Sequence, residues 1–254
     1  MSYSSATAGT AGRGTTAASQ ALSLSSVTAG AMVCASACLW RAGGTPAFPA
    51  SITDNHGHTL TLRRSDLTGS LVVGQYEGVC STGGTVSFTV TSSGGTGAAQ
   101  WDAVPFWYTG NPTSGEFDVS IGSNGSSTTA NTTSTATTNA NSELGIGSFT
   151  TLAGNNAVWT GTDTPNGVRV VYSQPDNQSL QAHRVLDELQ GQGTGPINLH
   201  SVSTDNMTTV TTPTGAWAAS LSVFIVDTGG TFDPATVPQT LSHALPLIPT
   251  PIGY

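Results

Sequence analysis

His56 and His58 stand two residues apart, with Asp54 two places before them, in the run Thr53-Asp54-Asn55-His56-Gly57-His58-Thr59. Alternate positions of a strand project to one side, so two imidazoles and a carboxylate here are the chain's nearest approach to a metal-ligand set. No further ligand is indicated at a fixed offset. Asp-Asn-His-Gly is also turn chemistry, because Asn and Gly tolerate positive φ and Asp caps the backbone. A polar turn is therefore expected, without metal or cofactor. Arg63-Arg64 has the charge to bind an anion or a partner's carboxylate; a solvated strand end with weak salt bridges is the expected role. Glycoside hydrolysis would need two converging carboxylates. Glu77, Asp102, Glu116 and Asp118 are candidates, yet nothing in linear order joins any two of them. Asp187 and Glu188 point apart if extended. The chain has no G-x-S-x-G elbow, no H-E-x-x-H, and no dinucleotide or phosphate-loop motif. Turnover is not expected.

Cys34 and Cys38, four apart in what reads as a strand, would sit roughly 13 Å apart on one face, too far for a disulfide. A bridge from Cys80 to one of them stays open; small buried hydrophobes are the expected role of all three. The densest aromatic group is Trp101, Phe106, Trp107 and Tyr108. Exposed aromatics on a sheet stack on sugars or anchor an interface. Core filling is favoured, with Trp107 and Tyr108 kept as candidate partner or glycan contacts.

These residues must be positioned by strands. In Ala31–Trp40, Met32, Cys34, Ser36, Cys38 and Trp40 alternate with Ala31, Val33, Ala35, Ala37 and Leu39. Both sets are small or apolar, which predicts a strand covered on both faces. Ile52 and Leu60/Leu62 flank the histidine turn as a hairpin. Leu71–Cys80 reads as a strand, and Val86, Phe88 and Val90 face inward from another. Pro105 predicts a bulge or edge position. Residues 122–141 read as a long exposed loop, followed by a strand with Leu144 and Ile146 inward. Val168–Tyr172 and Trp217–Val226 are further strands. Leu180–Gln190 leaves helix and strand open.

Of the 254 residues, 30 are Ser, 41 Thr and 31 Gly, and there is no lysine. That excludes Schiff-base chemistry, a phosphate-loop lysine and lysine-derived isopeptide crosslinks. Six arginines against 14 carboxylates give a net charge of −8, a poor basis for binding nucleic acid. Leu, Val, Ile and Phe total 50, close to the level where folding becomes doubtful, but the low charge density and the clustering into alternating runs argue for a fold. No apolar run is long enough for a transmembrane helix, and no membrane partner is expected. The first residues carry no basic cluster or apolar core, which predicts synthesis and assembly in a cytoplasm.

Eight to ten short strands with regular turn signals describe an all-β protein, an antiparallel β-sandwich or jelly-roll-like fold with at most one short helix. Three regions are expected: a flexible N-terminal arm at 1–19, the β-sandwich at 20–228, and a Pro-rich apolar C-terminal arm at 229–254. Five prolines, Pro234 to Pro251, prevent that last segment from continuing a sheet or forming a helix. Its Leu245, Leu247, Ile248, Ile252 and Tyr254 need a surface to cover them and are further candidate partner contacts.

The opening strand after Thr28-Ala29-Gly30, the turn at 53–59, the strand Val86-Ser87-Phe88-Thr89-Val90-Thr91 and the Trp-Ala-Ala strand at Trp217 together resemble β-sandwich modules of tailed-bacteriophage structural proteins, capsid-associated or tail. The likeness covers roughly residues 20–228. It implies a non-enzymatic virion protein that decorates a capsid or sits on a tail and contacts major capsid or tail subunits and further copies of itself. A glycan-binding or adhesin module on a tail tip or cell surface is the alternative. The resemblance carries over no catalytic residue and no cofactor.

Overall fold

The computed structural model describes residues 6–14, 19–109, 117–126, 129–130, 143–152, 159–160, 168–174, 182–190, 207–209 and 216–225. These contain strands and no helix. In chain order they are β1 (Thr7–Ala8), β2 (Gly12–Gly14), β3 (Ser19–Val27), β4 (Ala31–Gly43), β5 (Ser51–Thr53), β6 (Thr59–Thr68), β7 (Leu71–Cys80), β8 (Gly84–Thr91) and β9 (Thr96–Tyr108). Then follow β10 (Phe117–Ser126), β11 (Thr129–Ala130), β12 (Glu143–Leu152), β13 (Trp159–Thr160), β14 (Val168–Gln174), β15 (Ala182–Gln190), β16 (Met207–Thr209) and β17 (Ala216–Ile225).

The fold is an antiparallel, β-sandwich-like all-β architecture. Its centre is a seven-stranded sheet in the order β1-β9-β4-β7-β6-β5, with β2 also on β9. β3 and β8 pair with each other from Ser19↔Thr91 to Val27↔Gly84. Isolated bridges join that pair to both margins of the central sheet: Thr10↔Ser23 on one side, Asp54↔Phe88 on the other. The central sheet therefore curls, and β3 and β8 close it. A five-stranded sheet, β10-β17-β12-β15-β14, packs on the opposite face. β11, β16 and β13 form a small third sheet.

The alternation in β4 explains why the layers stack. Ala31, Val33, Ala35, Ala37 and Leu39 face the enclosed core with Leu22, Leu24, Val86, Phe88 and Val90. Met32 and Cys34 face the five-stranded sheet with Val104, Phe106, Leu144, Ile146, Val185 and Phe224. Small side chains at the middle of β4 let backbone layers approach on both sides, as the two-faced pattern predicts. The hairpin reading also holds, with Ile52 opposite Leu60. Pro105 lies in β9 where pairing passes from β1 to β2 with a one-residue change of register, so its missing N–H falls at an irregularity.

Several segments differ from the sequence reading or refine it. Within the presumed N-terminal arm, Thr7–Ala8 and Gly12–Gly14 pair with β9, and Gly9 N–H donates to Pro105 O at 2.8 Å. Ala182–Gln190 is a strand, held by β12 on one side and β14 on the other, because His183, Val185 and Asp187 alternate toward the central sheet. Residues 122–126, read as loop, complete β10 against β17. All three cysteines are free and buried. Residues 229–254, with Leu245, Leu247, Ile248, Ile252 and Tyr254, lie outside the described residues.

Trp107 and Tyr108 are core residues, 8% and 0% exposed, so neither is presented to a partner or a sugar. Trp107 packs in the enclosed core, and Tyr108 packs toward the five-stranded sheet and donates its hydroxyl to Asp187 at 2.8 Å. The sandwich has few large residues to fill it, which draws these rings inside. Trp107→Ala is expected to lower stability by about 3 kcal/mol, the lower end for a buried Trp because its indole N–H has no hydrogen-bond partner. Denaturant unfolding measures this; a surface role would leave the midpoint unchanged.

Candidate functional site

Two clusters gather the chemistry-bearing side chains. The first lies between the central sheet and the five-stranded sheet. β4 contributes Ser36, β9 contributes Asp102, and β15 contributes His183, all 0% exposed. The His183 ring sets Nε2 2.8 Å from Ser36 Oγ and Nδ1 3.0 Å from Asp102 Oδ1. This is the order of groups in a serine hydrolase. Around it, Arg13 Nε pairs with Asp102 Oδ2 at 2.8 Å, the Tyr172 hydroxyl donates to the same oxygen at 3.3 Å, and the Cys38 thiol donates to the Asp102 carbonyl at 3.3 Å.

Two features separate this array from a working triad. Ser36 sits mid-strand, covered on both faces, so no substrate carbonyl reaches its hydroxyl. The imidazole is also in the wrong charge state. Burial alone would lower the His183 pKa, but the Cys38 sulfur and the Asp102 carboxylate outweigh it and push it up to about 10. At neutral pH the ring is an imidazolium that donates to both neighbours, and a protonated ring cannot take a proton from serine. The array is an interlayer ion pair with hydrogen-bonded flanks. Gln75 extends the same interface, donating to Ser148 Oγ at 2.7 Å and to Ile146 O at 2.8 Å across the layers.

The second cluster is built on the hairpin turn between β5 and β6. Asp54 Oδ1 accepts the backbone N–H groups of His56 (2.9 Å) and His58 (2.8 Å), an Asx-type turn that Gly57 completes at φ +87°. The turn is tied to β8 as well: Asn55 N–H donates to Ser87 O at 2.9 Å, and Ser87 N–H donates to Asn55 Oδ1 at 2.8 Å. Asp54 Oδ2 is left to face His58 Nδ1 at 2.8 Å. Burial works upward on the Asp54 carboxyl, but hydrogen bonds from the His58 ring and from both backbone amides hold it below its ordinary value.

Cys80, the last residue of β7, completes this group. Its sulfur is 3.3 Å from His58 Nδ1 and 3.8 Å from Asp54 Oδ2. The thiol donates to Thr82 O at 2.9 Å, and burial chiefly raises its pKa. His58 Nε2 meets Ser81 Oγ at 2.9 Å. Asp54 and Cys80 are buried, His58 is half-buried and His56 is exposed. The structure thus brings the three residues of the sequence motif together and adds a sulfur that the motif lacked. The signal for Cys80 was the β6–β7 register: extending Thr61↔Glu77 by three residues sets His58 opposite Cys80.

Arg63 and Arg64 are each engaged with a carboxylate. Arg63 Nε donates to Glu77 Oε2 at 2.9 Å, with its guanidinium 4.8 Å from the centroid of the Phe117 ring. Arg64 Nε donates to Asp66 Oδ2 at 2.9 Å. Glu77 and Asp102 lie on the same face of the central sheet but serve different partners, and Asp118 is half-buried on β10. Glu116 lies outside the described residues. No helix among the described residues is long and apolar enough to cross a membrane.

Comparison with known proteins found no matching protein family, no matching curated protein and no matching solved structure.

Proposed function

We propose that this chain is a non-enzymatic structural protein of a virion, a β-sandwich that decorates or reinforces a tailed-phage capsid or sits on its tail. The observation that carries the reading is the burial of Ser36, Asp102 and His183, each 0% exposed: the groups best suited to catalysis join two layers and open on no cleft. A scaffold has no need of lysine, and a Ser/Thr-rich surface stays soluble with few charges. Among the residues whose exposure the structure describes, Leu67 is the only exposed large hydrophobic, which leaves little apolar docking surface there. Association with capsid or tail subunits, and with further copies of the chain, then falls to the terminal segments, above all Leu245, Leu247, Ile248, Ile252 and Tyr254. A glycan-binding module is the weaker alternative, because Trp107 and Tyr108 are core residues and aromatics elsewhere would have to hold the sugar.

Deleting residues 229–254 tests the reading. The shortened protein is expected to keep its β circular-dichroism signature and to lose self-association or binding to purified shells, read by native mass measurement alone and after mixing. Undiminished assembly would remove the C-terminal segment from the proposal, and saturable glycan binding by the intact protein would favour the alternative.

A further inference from the structure

The turn between β5 and β6 and the end of β7 place a carboxylate oxygen, two imidazole nitrogens and a sulfur within 4.8 Å of one another. We propose that Asp54, His56, His58 and Cys80 form a binding site for a single zinc-like transition-metal dication, which fastens the β5–β6 turn to the end of β7.

The geometry is close to that of a metal site. With zinc–sulfur bonds near 2.3 Å and zinc–nitrogen or zinc–oxygen bonds near 2.0 Å, tetrahedral donors stand about 3.3–3.6 Å apart. Cys80 Sγ is 3.3 Å from His58 Nδ1 and 3.8 Å from Asp54 Oδ2. Only the 2.8 Å contact of His58 Nδ1 with Asp54 Oδ2 must widen, by about half an ångström, as a hydrogen bond gives way to two metal bonds. His56 is exposed on the same turn, its ring edge-on to that of His58 with centroids 5.9 Å apart, and a turn of that ring inward brings in the fourth donor.

The surrounding groups orient these donors. Asp54 Oδ1 is occupied by two backbone amides, so Oδ2 is the oxygen presented. Ser81 Oγ lies against His58 Nε2 at 2.9 Å, so that nitrogen has an acceptor for the ring proton once Nδ1 gives up its hydrogen bond to Asp54 and turns a lone pair to the ion. On binding, the thiol proton leaves to solvent, the single proton of the neutral His58 ring passes from Nδ1 to Nε2, and the thiolate and carboxylate charges balance the two positive charges of the ion. That neutrality suits a site whose two anionic members are buried. The soft sulfur with two imidazoles selects a zinc-like ion over magnesium or calcium, which prefer all-oxygen shells.

The place in the fold gives the site its consequence. Asp54 bridges to Phe88 of β8 and Cys80 ends β7, so one ion would pin the turn that Asn55 and Ser87 already tie to β8 onto the end of β7.

The test is titration of the metal-stripped, full-length protein with Co2+ at neutral pH, followed by displacement with Zn2+. One equivalent of cobalt is expected to bind with a thiolate-to-cobalt charge-transfer absorption, and zinc is expected to abolish that absorption and raise the unfolding midpoint. Cys80→Ser is expected to lose the band. His56→Ala, altered only at an exposed side chain, is expected to stay folded and bind at least tenfold more weakly. No band in the folded wild type, an unchanged band in Cys80→Ser, or undiminished affinity in His56→Ala would each overturn the proposal.

Discussion

Asp102→Ala is expected to destabilise the protein by about 3–5 kcal/mol, the scale for removing one partner from a buried ion pair. Three groups end on this carboxylate: His183 Nδ1 at 3.0 Å, Arg13 Nε at 2.8 Å and the Tyr172 hydroxyl at 3.3 Å. His183 is 0% exposed, so its charge would be left with no water to replace the carboxylate. For a domain of this size the loss corresponds to roughly a 10 °C fall in melting temperature. Ser36→Ala is the informative contrast. It removes only a hydrogen-bond acceptor from His183 Nε2 and is expected to cost about 1–2 kcal/mol. Equal effects of the two substitutions, measured by denaturant unfolding, would refute an ion pair as the centre of the array.

Stability is also expected to fall as the medium becomes alkaline. The pKa of His183 is raised from 6.5 to about 10 in the folded protein, because the Cys38 sulfur and the Asp102 carboxylate overcome the effect of burial. A raised pKa means that the folded state binds the proton more tightly than the unfolded state. The stabilisation is therefore complete below about pH 6.5, declines by roughly 1.4 kcal/mol per pH unit above it, and is gone beyond about pH 10. Arg13 is the other cation facing the same carboxylate. The raised Tyr76, Tyr172, Cys34 and Cys80 protons add to the decline, but only above their ordinary values of 9 to 10. Unfolding free energies between about pH 6.5 and 9 thus report chiefly on His183. His183→Gln is expected to be less stable at neutral pH and flat across that window; a wild-type profile equally flat there would mean that the ring is neutral when folded.

The central sheet was largely visible in the chain. The two small, apolar sets of Ala31–Trp40 announced a strand with neighbours above and below, and Val86, Phe88 and Val90 announced a half-buried one. Both signals survive because a period of two is written into the side chains themselves. β10 was hidden for the opposite reason. Gly122, Ser123, Asn124, Gly125 and Ser126 carry no apolar signal, and it is pairing with Ala216–Ser220 that makes them a strand. β15 was ambiguous because Leu186 and Leu189 suggested a helical period, and pairing with β12 and β14 decided otherwise. The polar clusters were the least legible. Ser36 and His183 are 147 residues apart, and nothing local in either strand names the other. The turn chemistry of Asp54–Gly57 was read correctly, whereas its neighbour Cys80 depended on register, which no single segment specifies.

The wide sequence separation inside the interlayer ion pair has a consequence for how the polypeptide is born. A ribosome releases the N-terminal half first, and by Tyr108 every strand of the central sheet and of the β3–β8 closure has emerged. Its outward face then carries Met32, Val104, Phe106 and Tyr108 with nothing over them, and Asp102 among them waits for an imidazole that comes 81 residues later. Arg13, already emerged, is the cation at hand to hold that carboxylate in the meantime. The nascent molecule thus passes through a stage that is half greasy and half finished, the state in which strand proteins are most prone to stick to one another before the last layer arrives.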